Sequence, residues 1–154
     1  MRNDESKRDP LTYAIIGAAM RVRMKLGCRL LESAYHAFLC RAFETDGLSF
    51  VSEAECSAEF EGLKVDKAFR CDLIVEGLVI VEVKAVPDIL PIHRAQLLTY
   101  MRLSGIGKGL LINFNAIPFT SGIVRMVLSE PEIPGTTGTT GKAIETQMTQ
   151  MARR

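Results

Sequence analysis

Two acidic residues and a lysine stand where the chain is otherwise apolar. The stretch Gly77–Val86, GLVIVEVKAV, has the composition of a strand buried on both faces, yet it carries Glu82 and Lys84. Residues two apart on a strand point the same way, so Glu82 and Lys84 share a face while Val81, Val83 and Ala85 take the other. A third group lies upstream: Asp72 in RCDLIV, again among apolar neighbours. Glu-x-Lys alone describes an ordinary salt bridge at a strand end, although an unpaired buried charge is costly. Two carboxylates brought together imply more. If the connection is Glu76-Gly77-Leu78, then Val75 faces Val79, Ile74 faces Ile80 and Asp72 stands opposite Glu82, with Cβ atoms ~4.5–5.5 Å apart. A two-residue loop would pair Asp72 with Val81 and send the carboxylates to opposite faces. Close carboxylates repel, and one tends to hold its proton unless a cation lies between them. Hard oxygen donors suit Mg²⁺ or Mn²⁺.

The elements that must position these groups follow from periodicity. Ile15, Ala19, Val22 and Leu26 recur at helical spacing and Gly27 ends the run, so a helix is expected from Leu11 to about Leu26. A second helix, about Leu31 to Thr45, carries an apolar stripe through Tyr35, Leu39 and Phe43 and stops at Asp46-Gly47. The period then becomes two. Phe50, Ser52, Ala54, Cys56, Ala58 and Phe60 alternate with Val51, Glu53, Glu55, Ser57, Glu59 and Glu61, as in a strand with one wet, acidic face. Glu61-Gly62 turns the chain into a short strand at Leu63–Val65, and FRCDLIV and LVIVEVKAV follow as two further strands. Helical spacing returns after Pro91 and runs through Met101. GLLINF reads as a buried strand and GIVRMVL as an edge strand. Residues 1–10 read as a flexible N-terminus, 11–128 as one domain, and 129–154 as a flexible Thr/Gly-rich tail. The core order α-α-β-β-β-β-α-β predicts an α/β (α+β) domain, one mixed central sheet flanked by helices.

Composition sets limits on function. At 154 residues and 47% hydrophobic, the chain can build one ordinary core. No apolar run approaches the ~20 residues of a membrane helix, and the start MRNDESKRDP does not read as a secretory leader. Cys28, Cys40, Cys56 and Cys71 lack CxxC or zinc-like spacing and read as structural thiols of a cytoplasmic protein. A net charge of +1 argues neither for nor against nucleic acid. The glutamates of the acidic strand repel phosphates, so Arg21, Arg23, Lys25 and Arg29, with Arg94 and Arg102, are the candidate basic approach.

Asp72 followed by Glu82-Val83-Lys84 resembles the D…(D/E)xK signature of the PD-(D/E)XK nuclease superfamily. Five blocks in order, GCRLLESAY, CDLIVE, VEVKAV, HRAQLLTYMRLSG and GLLINFN, resemble the GxxExxY proteins of that superfamily over roughly residues 10–128. The proline that often precedes the aspartate is absent. The resemblance implies a restriction-endonuclease-like core and a Mg²⁺- or Mn²⁺-dependent nuclease acting on DNA. It assigns Asp72, Glu82 and the Val83 carbonyl to the metal, with Glu32 helping to hold the metal–water cluster. Lys84 would act on the attacking water or the phosphate. Gln96 and Tyr100 look like the QxxxY motif of RecB-like nucleases. Tyr35, Arg70, His93, Tyr100 and Arg102 are the candidate substrate contacts, and a homodimer or a protein partner is compatible with the pattern. The competing expectation is a non-catalytic nucleic-acid- or protein-binding module that keeps the fold. All four cysteines precede Glu82, which argues against the iron–sulfur cluster of some relatives.

Overall fold

Asp9 starts the first helix: its carboxylate accepts the Thr12 N–H and Pro10 takes the first helical position, where a missing N–H has no cost. The computed structural model describes residues 9–129. Helix α1 (Pro10–Leu26) is followed by α2 (Glu32–Thr45), β1 (Phe50–Phe60), β2 (Leu63–Val75), β3 (Val79–Lys84), α3 (Pro91–Ser104), β4 (Lys108–Asn113), a short 3-10 turn at Phe119–Gly122, and β5 (Ile123–Val127). The expectations for the termini fall largely outside the described residues. The strands form one sheet in the order β1-β2-β3-β4-β5; β3 and β4 run parallel, joined through α3, and every other neighbouring pair is antiparallel. This is the mixed sheet with flanking helices that the pattern predicts.

Helices cover both faces. On one, Ile15, Ala19, Tyr35, Leu39 and Phe43 of α1 and α2 pack on Leu73, Val75, Val81, Val83, Leu110 and Ile112. On the other, Leu97 and Met101 of α3 pack on Ile74, Ile80 and Leu111. A Cβ at Gly109 would lie 2.6 Å from Met101 Sδ and 3.0 Å from Leu97 Cδ1, so glycine there leaves room for these α3 side chains against β4. Central strand β3 is buried on both faces up to its final residue, which explains its near-continuous apolar run.

The two hairpins use left-handed residues. Glu61 (φ 47°) and Gly62 (φ 82°) join Phe60 to its partner Leu63 in a two-residue turn. Glu76 (φ 53°) and Gly77 (φ 67°) lie in the three-residue connection Glu76-Gly77-Leu78, which pairs Val75 with Val79 and Ile74 with Ile80. Of the two loops open to the sequence, the chain uses the longer.

Three expectations need correction. The strand expected at Leu63–Val65 is not separate: β2 is one 13-residue strand, its irregularity absorbed by a register shift between Cys56 and Ala58 and by Lys67 at φ 54°. The strand expected to reach Val86 ends at Lys84. Nor does β1 keep one inner face. Phe50 packs with α1 and α2, whereas Ala54 and Cys56 pack with α3; on β2, Leu73 and Cys71 divide the same way. The ladder runs Ser52↔Leu73, then Ala54↔Cys71, and the pair it omits is Glu53 with Asp72. Glu53 has φ 52°, so the hairpin turns over at Asp72.

Candidate active site at the end of the β2–β3 ladder

The main-chain pairing of β2 with β3 ends at Leu73↔Val81. One residue further, side chains replace it. The Asp72 N–H donates to Glu82 Oε1 at 3.1 Å, and the Val83 N–H donates to Asp72 Oδ2 at 2.9 Å. Each carboxylate thus accepts an N–H from the opposite strand, which draws the two acids together where the strands part.

Glu82 is 3% exposed and Asp72 is half-buried. Burial, reinforced by the neighbouring Asp72 charge, pushes the Glu82 carboxyl up to about 8, against the opposing effect of the Asp72 N–H and a weaker pull from Lys84. Lys84 is half-buried at the last position of β3, and it makes no ion pair within 4.0 Å among the described residues. By alternation it lies on the α3 side, with Ile80 and Glu82. A buried carboxyl held partly neutral beside a second carboxylate marks a place short of positive charge.

That donor set suits a hard divalent cation. Mg²⁺ is characteristically held by one or two carboxylates, with water and phosphate oxygens completing its shell. Asp72 and Glu82 offer such a pair, and a cation between them would offset both the burial and the repulsion that raise the Glu82 carboxyl. Among the described residues no group of three or more His, Cys, Asp or Glu side chains is placed to hold a metal. Glu32 stands exposed at the first position of α2, where an acidic side chain complements the helix dipole.

The other sequence candidates divide sharply. Gln96 Nε2 donates to Tyr100 Oη at 2.9 Å across one turn of α3. Tyr100 stacks on Phe69 with ring centroids 4.9 Å apart, and burial together with the Glu82 charge raises its hydroxyl. This pair therefore borders the carboxylates. Arg70 and Arg102 are exposed, on β2 and in the last turn of α3.

Tyr35 does not fit a substrate contact, and His93 has one ring nitrogen engaged in structure. Tyr35 is fully buried; its hydroxyl donates to the Gly27 carbonyl at 2.7 Å and accepts the Leu30 N–H, while its ring stacks on Phe114 at 4.5 Å. It pins the α1–α2 loop. His93 Nδ1 accepts the Leu90 N–H at 3.0 Å and so caps α3. Two of the proposed basic residues are likewise engaged in structure. Arg21 pairs with Asp46 at 2.6 Å, and Arg23 donates to the Phe114 and Ala116 carbonyls.

Sequence reasoning passed over Asn113. Nearly buried at the end of β4, it receives the Val86 N–H on Oδ1 and donates Nδ2 to the Val86 carbonyl, tying the two parallel strands just beyond Lys84. An asparagine ending an apolar strand was the available signal.

A family model described as the PD-(D/E)XK nuclease superfamily matches residues 9–126. The chain belongs to that superfamily. No curated protein and no solved structure matches it significantly.

Proposed function

Proceeding from a chain of the PD-(D/E)XK nuclease superfamily, we propose that this protein is a metal-dependent phosphodiesterase that hydrolyses DNA. The observation that carries this reading is the interlocked pair Asp72 and Glu82, with Lys84 two residues on and on the same face as Glu82. Asp72 and Glu82 would hold Mg²⁺ or Mn²⁺, and the Val83 carbonyl is the proposed third donor. A divalent ion, when bound, supplies positive charge against the phosphoryl oxygens. Lys84 orients the attacking water or opposes the charge that builds on phosphorus. Gln96, held by Tyr100, positions the substrate backbone beside the carboxylates. In-line attack leaves a 5′-phosphate and a 3′-hydroxyl. GxxExxY kinship and a cytoplasmic site of action belong to the same proposal.

The test is cleavage of labelled single-stranded, duplex and branched DNA in Mg²⁺ and in Mn²⁺. Cleavage that disappears with chelator and with Lys84→Ala is expected. A Lys84→Ala protein as active as wild type would overturn the assigned site. Tight DNA binding with no cleavage under any condition would replace the enzyme with a binding module on the same fold.

A further inference from the structure

A cavity of about 440 Å³ lies beyond the ends of β3 and β4, walled by the β3–α3 loop, the first turn of α3 and the segment after β4. None of the carboxylates assigned above lines it. Its floor is held rigid by the Asn113–Val86 hydrogen bonds. One wall is set by Gly122, where a Cβ would lie 2.4 Å from Ala116 Cβ and 2.7 Å from the Asn113 carbonyl oxygen. The cavity is therefore preformed.

Its position relates it to Lys84. Asn113, on the cavity floor, is the ladder partner of Lys84, and Val86 lies two residues beyond. Two residues of chain reach at most about 7 Å, comparable to one step along an extended nucleic-acid strand. Its lining combines three chemistries. Arg94 supplies a guanidinium suited to a phosphate. Asp88, Ser121 and Asn115 offer polar groups; Asn115 Oδ1 already receives the Arg29 N–H, which leaves its amide nitrogen to donate. Ile89 and Ile117 add apolar walls, and Ile117 is exposed and open to a ligand. Pockets of ~300–1,000 Å³ take one small molecule, and enzymes that receive an unstacked base hold it between apolar side chains and hydrogen-bond its edge.

Resting on the nuclease reading, we propose that this cavity receives one unpaired nucleotide next to the scissile phosphate, so that the preferred substrate is single-stranded or locally unpaired nucleic acid. The base lies against Ile117 and Ile89, its edge meets Asp88 and Asn115, and its phosphate meets Arg94.

The test is fluorescence-anisotropy binding of the full chain to a single-stranded DNA oligonucleotide and to the duplex of the same sequence, in chelator so that cleavage cannot interfere. Wild type is expected to bind the single strand at least about tenfold more tightly, the scale of burying part of one apolar side chain against the base. Ile117→Ser should remove that preference while leaving duplex binding and Tm unchanged, and Arg94→Gln should weaken single-strand binding more than duplex binding; both positions are exposed. Equal affinity for the two forms, or a preference that survives both variants, would overturn the proposal. The outcome separates from that of the nuclease reading. Cleavage with no single-strand preference refutes the pocket alone, and pocket-dependent binding by a protein that never cleaves refutes the nuclease alone.

Discussion

Asp9 and Glu82 each have a lysine nearby, and their carboxyls are driven in opposite directions. Asp9, at the start of α1, accepts the Thr12 N–H and hydroxyl and lies 3.2 Å from Lys108 Nζ; those hydrogen bonds, chiefly from Thr12, hold its carboxyl below the ordinary value. Glu82 accepts one N–H, sits among apolar side chains and faces Asp72, and its carboxyl rises to about 8. A neighbouring lysine does not decide the matter. What decides is whether the charge finds donors enough to replace water. The Asp9 site is complete within the chain. The Glu82 site lacks positive charge, and the chain's own Lys84 does not make up the deficit.

The largest consequence is catalytic. Asp72→Asn should lower metal-dependent cleavage at least about a hundredfold, the order seen when one group that stabilises a transition state is removed. Asp9→Asn should leave the rate within about twofold. Single-turnover cleavage of one labelled oligonucleotide measures both, and a comparable loss in the two variants would erase the distinction.

Metal should act on the two sites just as unequally. Mg²⁺ or Mn²⁺ at a hundred times its Kd should stabilise wild type by about 2.7 kcal/mol. Glu82→Gln should forfeit most of that gain, while Asp9→Ala keeps it. Thermal melts with and without the ion read the difference; a full gain in Glu82→Gln would show that the ion binds elsewhere.

Acid and base separate the pair in sign. In chelator, Glu82 has a folded pKa of about 8 against an ordinary 4.5. Its contribution to stability is therefore fully present below 4.5 and is lost as pH rises through about 8. Metal-free protein should lose stability across that window by an amount on the order of 1 kcal/mol or more, and Glu82→Gln should flatten the slope. The Asp9 carboxyl is depressed instead, so its contribution is present above its ordinary 3.8 and is lost as pH falls below it. Urea midpoints from pH 3 to pH 9, an interval chosen to bracket both groups, check the two signs.

The smallest effect is local. Asp9→Ala should cost about 1 kcal/mol, the usual value of an N-cap side chain, and lower Tm by a few degrees without touching metal affinity. A loss of metal affinity in this variant would link two regions that the fold keeps apart.

Much of this architecture was legible before any coordinates. The helix stripes ending at Gly27 and Asp46-Gly47, the Glu61-Gly62 turn and the buried run of β3 are local signals, because side-chain period and turn chemistry depend on near neighbours. Asp72, Glu82 and Lys84 were conspicuous for the same reason: a charge in an apolar run contradicts its surroundings. Tyr35 misled, because a tyrosine at helical spacing has the same pattern whether its hydroxyl meets a substrate or a loop carbonyl.

By itself, the sequence determined which segments alternate, where they turn and which residues cannot be ordinary core. Only the tertiary structure decided between the two- and three-residue connections at Gly77, the reversal of faces at Glu53 and Asp72, and the capture of each carboxylate by the opposite strand's N–H. The physical reason is that helices cover both faces of this sheet. Alternation reveals a register when one face is wet and the other dry; where both are dry, a one-residue slip leaves the pattern almost unchanged, and packing against α1, α2 and α3 has to choose.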